Sequence, residues 1–170
     1  MSEELNLRTR LLLGGIAGFV GTMAMTSVMR RLHQRLPEEE SYPLTPREII
    51  DSTAELAEVP LGSEAAKDVT TAAHFGYGAA CGSLLAAVAP RMDPFTGAAA
   101  GVGIWLGSYL GWIPAAGILK PATDHPPRRN GLMITTHLVW GAATALAMRE
   151  LILIRDTMIK DGPVEDAPEP

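Results

Sequence analysis

The sequence contains a single cysteine, Cys81, and only three residues each of Trp, Tyr and Phe. One cysteine excludes an intramolecular disulfide and gives no information on the redox compartment. A basic excess is also missing, since 14 Lys and Arg stand against 19 Asp and Glu and the formal net charge is −5. The chain therefore lacks the positive charge typical of nucleic-acid-binding proteins, and we expect no nucleic acid among its partners.

Familiar catalytic motifs are missing as well. The sequence has no Gly-x-Ser-x-Gly motif, no phosphate-binding loop, no metalloprotease helix and no pair of cysteines. We therefore predict a protein that is not an enzyme, with no catalytic residues and with no bound cofactor or metal.

Charge is absent from four long stretches of the chain. Every Asp, Glu, Lys and Arg lies outside residues 11–29, 69–89, 94–119 and 131–148, windows of 19, 21, 26 and 18 residues. A helix needs about 20 residues to cross a bilayer, and a soluble helix of this length would carry a charged face. The pattern predicts an all-α integral membrane protein, a bundle of four transmembrane helices with the lipid bilayer as partner. A signal peptide is the alternative for the first window, but the apolar run exceeds the usual length of about 7–15 residues.

Glycine is abundant, with 17 residues, and it clusters in the four windows. Small residues allow the backbones of membrane helices to approach closely, and several of these glycines recur every four residues along one helix face. The predicted helix-packing residues are Gly14, Gly18, Gly78, Gly82, Gly103, Gly107, Gly111 and Gly141.

The polar regions define the predicted domain boundaries. Residues 1–10 form a polar N-terminus, 11–160 the membrane domain and 161–170 a disordered acidic tail. In the long loop after the first window, Thr45 as N-cap, Pro46 and Glu48 predict one short amphipathic helix at about 45–58, resting on the end of the bundle. Pro114 predicts a kink near the end of the third span.

An internal repeat organises the apolar windows. Residues 74–80 read HFGYGAA and residues 137–143 read HLVWGAA, 63 positions later. A weaker match joins GGIAG at 14–18 to GAAAG at 97–101, with an offset of 83. The two matches together predict two helical hairpins related as a parallel repeat, with an axis along the membrane normal. We expect the two motif histidines to occupy equivalent environments.

The repeated motifs, together with PLTPREI at 43–49 and WLGSYLGWIP at 105–114, resemble the YagU-like family of small, largely uncharacterised bacterial inner-membrane proteins. The resemblance covers about residues 11–150. It implies a multi-pass protein of the bacterial inner membrane and a link to acid tolerance, and it supplies no established catalytic residues.

Two histidines inside the apolar windows, His74 and His137, are the sharpest functional candidates. Ionisable groups within a membrane are expensive and are commonly functional, and histidine titrates near physiological pH. The alternative is structural, with each imidazole neutral and hydrogen-bonded to a hydroxyl or a carbonyl. The candidate functional residues are His74, His137, Tyr77, Trp140 and Tyr109, and the expected partners of the imidazoles are Thr71, Ser108, Tyr109 or Thr136.

Three functions therefore compete for this sequence. The leading hypothesis is a membrane protein of acid or envelope stress tolerance in which the two histidines respond to pH. The first alternative is a small carrier or channel subunit, in which a homo-oligomer supplies the pathway. The second is a haem protein with two histidine ligands on facing helices.

Overall fold

A computed structural model describes residues 5–38 and 44–159. Every regular element in these two ranges is helical, which confirms the all-α prediction. The elements are α1 Leu7–His33, α2 Thr45–Leu56, α3 Ser63–Val88, α4 Pro94–Gly107, a π-helical segment Ser108–Trp112, α5 Ile113–Ala115, a 3-10 turn Ala122–Asp124 and α6 Pro127–Thr157. Helix α1 begins inside the predicted polar N-terminus, and the predicted acidic tail lies outside the described residues.

Helix α1 is the element around which the bundle is built. It packs against α3 and against α6, while α4 packs against α6 and the short α2 packs against α3. Helices α3 and α4 do not pack closely on each other within the two described ranges. The bundle is therefore closed on three sides and open between α3 and α4.

Glycines make the contact between α1 and α3. Gly14 lies against Gly82 and Ala86, and Gly18 lies against the carbonyl oxygen of Gly78. A Cβ added at Gly18 would also stand 2.9 Å from the Cα of Gly82. The two backbones approach so closely that no larger residue fits without moving one of the helices.

The contact between α4 and α6 is also made by glycines. Gly97 lies against the backbone of Gly141 and the side chain of Ala145, and Gly101 lies against the carbonyl oxygen of His137. Gly141 in turn has the backbone of Gly97 and Gly101 as its nearest neighbours. The pair α1 and α3 and the pair α4 and α6 are therefore each held together by glycines on both helices.

The packing ridge predicted from Gly103, Gly107 and Gly111 is wrong. A Cβ built at any of the three meets no atom of the described residues within 4 Å. The physical reason is the rotation of α4, which turns the other glycine face, Gly97 and Gly101, toward α6. A four-residue spacing marks both faces equally, so the spacing alone does not show which one packs inward.

The third predicted span, residues 94–119, is not one continuous helix. Helix α4 ends at Gly107, and the π-helical segment that follows contains Gly111 with φ −112° and ψ −108°, outside helical values. Pro114 explains this position, because a proline has no N–H and its ring clashes with the carbonyl four residues earlier, that of Leu110. The predicted kink is therefore confirmed, and it lies at Gly111, upstream of the proline.

Helix α2 begins with a different cap from the predicted one. Leu44 is the N-cap, Thr45 is the first helical residue, and no side chain caps the helix. The Thr45 hydroxyl instead points to the sulfur of Met133 on α6, at 3.8 Å. The helix ends at Leu56, two residues before the predicted end, and Ile49 packs against the apolar cluster at that end of the bundle.

Two helices, α1 and α6, are long and apolar enough to cross a membrane. Helix α4 has only 14 residues, against the roughly 20 that a span needs. Helix α3 has 26 residues, long enough for a span, but it is not one of these two helices. A crossing by all four apolar windows stays a prediction.

The long helices bury small residues and expose large apolar ones. Helix α1 buries Ala17 and leaves Leu12 65% exposed, and helix α3 buries Ala86 and leaves Leu84 67% exposed. On α4, Phe95 is 88% exposed. A helix in a water-soluble protein normally has the opposite arrangement, with its apolar stripe buried and its polar face outside.

Candidate functional site

A cavity of about 270 Å³ lies between the long helices. Helix α2 covers one end of the cavity, and its walls come from α1, α3, α4, the π-helical segment, α5 and α6. The lining residues are Thr22, Met25, Met29, Pro46, Ile49, Ile50, Ala73, His74, Tyr77, Gly78, Cys81, Ile104, Ser108, Tyr109, Trp112, Ile113, Met133, His137 and Trp140. The walls are mainly apolar and aromatic with a few polar groups, which is typical of small-molecule sites.

His74 is held by a hydroxyl relay on α1. Its Nε2 lies 3.0 Å from the hydroxyl oxygen of Thr26. That hydroxyl donates its only hydrogen to the carbonyl oxygen of Thr22, at 2.7 Å. Because the Thr26 oxygen can then only accept, Nε2 of neutral His74 carries the proton and Nδ1 is unprotonated. No residue in the described ranges forms a hydrogen bond with Nδ1.

His137 has the opposite tautomer. Its Nδ1 lies 2.7 Å from the carbonyl oxygen of Met133, one helical turn earlier on α6. A carbonyl oxygen only accepts, so Nδ1 donates and Nε2 of the neutral ring is unprotonated. Nε2 has no hydrogen-bond partner in the part of the chain that the structure describes. The cavity is thus lined by two imidazoles, each with one free acceptor nitrogen.

The open side of the cavity lies between α3 and the π-helical segment. The hydroxyl of Tyr77 is 2.9 Å from the hydroxyl of Ser108, which joins the two elements. The Tyr77 ring lies 6.1 Å from the ring of Trp112. Both aromatic residues line the cavity and are nearly half exposed, at 44% and 46%. These two side chains therefore form the rim of an opening toward the outer surface of the bundle.

The buried wall opposite the opening contains a second polar contact between helices. The indole Nε1 of Trp140 donates to the hydroxyl oxygen of Thr22 at 3.1 Å. The same hydroxyl donates to the carbonyl oxygen of Gly18 at 2.8 Å. Trp140 is 3% exposed and Thr22 is 1% exposed, so this contact joins α1 to α6 away from solvent.

An ion pair fixes α2 over the end of the cavity. The guanidinium of Arg129 on α6 binds the carboxylate of Glu48 on α2, and it also donates to the hydroxyl of Thr45. The Arg129 side chain is only 10% exposed. Nearby, Tyr109 is buried and its ring stacks on Trp105, with centroids 5.9 Å apart. The polar contacts keep Ile49 and its neighbours on α2 against the cavity.

The structure brings all five candidate functional residues to this one cavity: His74, His137, Tyr77, Trp140 and Tyr109. It does not give the two motif copies equivalent environments, however. Tyr77 is a half-exposed rim residue, whereas Trp140 is buried against Thr22. The reason is the asymmetry of the bundle, in which α6 packs on α1 while α3 stays apart from α4.

The predicted hydrogen-bond partners of the histidines are wrong. His74 bonds to Thr26 and His137 to a backbone carbonyl, whereas the four expected hydroxyls point elsewhere. Ser108 bonds to Tyr77, and Thr136 bonds to the carbonyl oxygen of Met133. The sequence did contain a usable signal for the true partner, because two threonines stand four residues apart in the first apolar window.

Metal binding has no additional support in residues 5–38 and 44–159, where no group of three or more His, Cys, Asp and Glu side chains converges. The bis-histidine haem alternative needs only two ligands and stays a prediction. A visible spectrum of the purified protein tests it, since haem would give a Soret band.

Comparison with known proteins gives no relative. No protein-family model, no curated protein and no solved structure matches this chain. The resemblance to the YagU-like family therefore depends on the sequence motifs alone.

Proposed function

We propose that this chain is a four-span protein of the bacterial inner membrane that binds a lipophilic small molecule in its central cavity. Binding responds to pH through His74 and His137, and the protein catalyses no reaction of its own. The setting we propose is acid or envelope stress tolerance, as the YagU-like resemblance implies. The observation that carries the proposal is that two imidazoles from different helices line one mainly apolar cavity.

The distribution of side-chain size supports the membrane part of the proposal. All four long helices have large apolar side chains on their outer faces, including Phe19, Leu84, Phe95 and Leu146. Exposed large apolar side chains on every long helix suit contact with lipid better than contact with water. The interruption after α4 fits the same proposal, because irregular backbone at membrane depth is tolerated where it lines a cavity.

The glycine contacts support a pair of related hairpins. In the first hairpin Gly18 meets the carbonyl oxygen of Gly78, and in the second Gly97 meets the carbonyl oxygen of Gly141. The two contacts are equivalent in a repeat that aligns Gly18 with Gly97, which lies 79 positions later in the chain. The sequence match instead aligns Gly14 with Gly97, an offset of 83. The two alignments differ by four residues, about one helical turn. A low-complexity run of Gly and Ala permits either alignment.

A pH response follows from the character of the cavity. Protonation of either imidazole would place a positive charge in a largely apolar site, where an unpaired charge is unfavourable. The other titratable groups that line the cavity are the phenols of Tyr77 and Tyr109 and the thiol of Cys81. The wall residues of α1 are uncharged, and Glu48 and Arg129 beside the cavity neutralise each other. Among the described residues, no carboxylate on the wall is therefore available to compensate an imidazolium.

The first test measures binding of the small uncharged fluorophore aminoanthracene to the protein in nanodiscs. We expect saturable binding at about pH 8, weakened only well below the usual titration range of histidine, at about pH 4, because the apolar cavity disfavours the charged imidazole. His74→Gln and His137→Gln should each reduce the pH dependence, whereas His125→Gln, in the loop before α6, should not. Empty nanodiscs correct for partition into lipid. Signal no greater than that of empty nanodiscs would refute the proposal.

The second test measures survival of bacteria at acid pH. Cells producing His74→Gln or His137→Gln should survive less well than cells producing the parent protein or the His125→Gln control. Immunoblotting must show equal protein abundance in all four strains. Equal survival at equal abundance would leave the two histidines with a structural role only.

A carrier is the second candidate, because the cavity opens sideways between α3 and the π-helical segment. The half-exposed rim residues Tyr77 and Trp112 would then border a path between the cavity and the lipid. In proteoliposomes a carrier would move the bound compound across the bilayer, whereas a binding protein would only retain it.

A further inference from the structure

We propose that the cavity selects a neutral phenolic ligand, a lipophilic aromatic ring whose hydroxyl donates a hydrogen bond to an imidazole nitrogen. The inference rests on the proposed binding function and specifies the class of ligand. The hydrogen bonds that the protein makes to its own two histidines support it.

Both histidines are fixed as acceptors by their surroundings. His74 donates from Nε2 to Thr26, whose own hydrogen is used by the carbonyl oxygen of Thr22. His137 donates from Nδ1 to the carbonyl oxygen of Met133. Reversing the His137 tautomer would bring an unprotonated nitrogen against a carbonyl oxygen that has no hydrogen to give. Reversing the His74 tautomer would require the Thr26 hydroxyl to give up its bond to the carbonyl oxygen of Thr22. The protein therefore leaves Nδ1 of the first ring and Nε2 of the second to accept a bond from a ligand.

The walls favour an aromatic ligand. Tyr77, Tyr109, Trp112 and Trp140 line the cavity together with the two imidazoles. Aromatic rings are stabilised by offset or edge contacts with each other in addition to the burial of their area. A cavity of about 270 Å³ lies just below the roughly 300–1,000 Å³ of drug-sized sites, which suits one substituted ring.

A hydroxyl donor is distinguished from its closest analogues by simple hydrogen-bond rules. A methyl ether of the same phenol keeps the shape but has no hydrogen to donate. A ketone has only acceptor atoms, so it would place an oxygen lone pair against an imidazole lone pair. Both analogues leave a desolvated acceptor of the protein unsatisfied, a cost of about tenfold in affinity or more.

The experiment compares para-tert-butylphenol, para-tert-butylanisole and para-tert-butylacetophenone as competitors of aminoanthracene in nanodiscs at about pH 8, where the imidazoles are neutral. We expect the phenol to displace the fluorophore at a concentration about tenfold lower than either analogue. Replacement of both acceptors, in His74→Leu/His137→Leu, should abolish this difference. The His125→Leu control should retain it.

Each outcome of the competition has a distinct meaning. Equal displacement by all three compounds would overturn the phenolic ligand but leave cavity binding in place. Tighter binding of the ketone would also overturn it, since it would require a donor on the wall. Displacement by none of them, with no saturable fluorophore binding, would remove the proposed function itself.

A second measurement needs no variant and so does not depend on the folding of mutants. Nitrogen-15 NMR of histidine-labelled protein distinguishes protonated from unprotonated imidazole nitrogens. We expect the Nε2–H tautomer for His74 and the Nδ1–H tautomer for His137, with the unprotonated nitrogen shifting when para-tert-butylphenol is added. The opposite tautomer at both sites, or no shift on addition of a phenol that binds, would overturn the inference.

Discussion

At the scale of single residues, threonine hydroxyls determine the form of the site. Thr26 orients His74, and Thr22 accepts the indole hydrogen of Trp140 while bonding back to its own helix. Each hydroxyl satisfies a polar group that would otherwise be buried without a partner. Such groups are costly in an apolar interior, so these small side chains matter more than their size suggests.

Removal of the Thr22 hydroxyl should destabilise the protein. Thr22→Val keeps the shape but leaves the buried Trp140 N–H without its acceptor, at a cost of about 1–3 kcal/mol. The measurement is the free energy of unfolding in mixed micelles, compared with Thr135→Val. The control hydroxyl bonds to its own helix at an exposed position, so we expect its loss to change stability by less than about 0.5 kcal/mol. Equal losses in both variants would contradict the role assigned to Thr22.

The sequence predicted which residues line the cavity but not which groups form hydrogen bonds with them. The repeated motif selected His74, Tyr77, His137 and Trp140, because a polar or aromatic group in an uncharged window stands out. The partners could not be predicted, since Thr26 comes from a different helix and its contact depends on how α1 and α3 are rotated. The carbonyl oxygen that binds His137 belongs to the backbone, which any residue could supply.

At the scale of helices, the rotation of each element decides which glycines pack. The windows and their glycine content predicted close helix contacts, and α1, α3 and α6 make them with the expected residues Gly14, Gly18, Gly78, Gly82 and Gly141. For α4 the wrong face was chosen, because glycines occur on two faces with the same spacing. The kink before Pro114 was predicted, because the missing N–H of a proline is visible in the sequence.

A matched pair of glycine substitutions tests this assignment. Gly18→Leu should disrupt folding or cost at least about 1–3 kcal/mol, because its new side chain would meet the backbone of α3. Gly107→Leu should insert and purify like the parent, since no atom of the described chain lies within 4 Å of a Cβ at this position. The measurements are protein yield, monodispersity and the midpoint of unfolding. A tolerated Gly18→Leu together with a disruptive Gly107→Leu would reverse the assignment.

At the scale of the whole molecule, the asymmetry of the bundle creates the site. A symmetric arrangement of two hairpins would close α3 on α4 as α1 is closed on α6. Because α3 does not pack closely on α4, a cavity remains between the helices. Helix α2 covers one end of this cavity, where Glu48 pairs with Arg129. The sequence predicted the hairpins and the covering helix, but it gave no sign of the open contact.

The most direct test of the four-span proposal is the topology of the chain in the membrane. Single cysteines at positions 40, 92, 125 and 165, in a background where Cys81 is replaced by Ala, are labelled in intact and in opened cells with a membrane-impermeant maleimide. We predict that positions 40 and 125 are accessible from one side and positions 92 and 165 from the other. Labelling of 40 and 125 from opposite sides, or of all four positions from the same side, would contradict a four-span protein built from two hairpins.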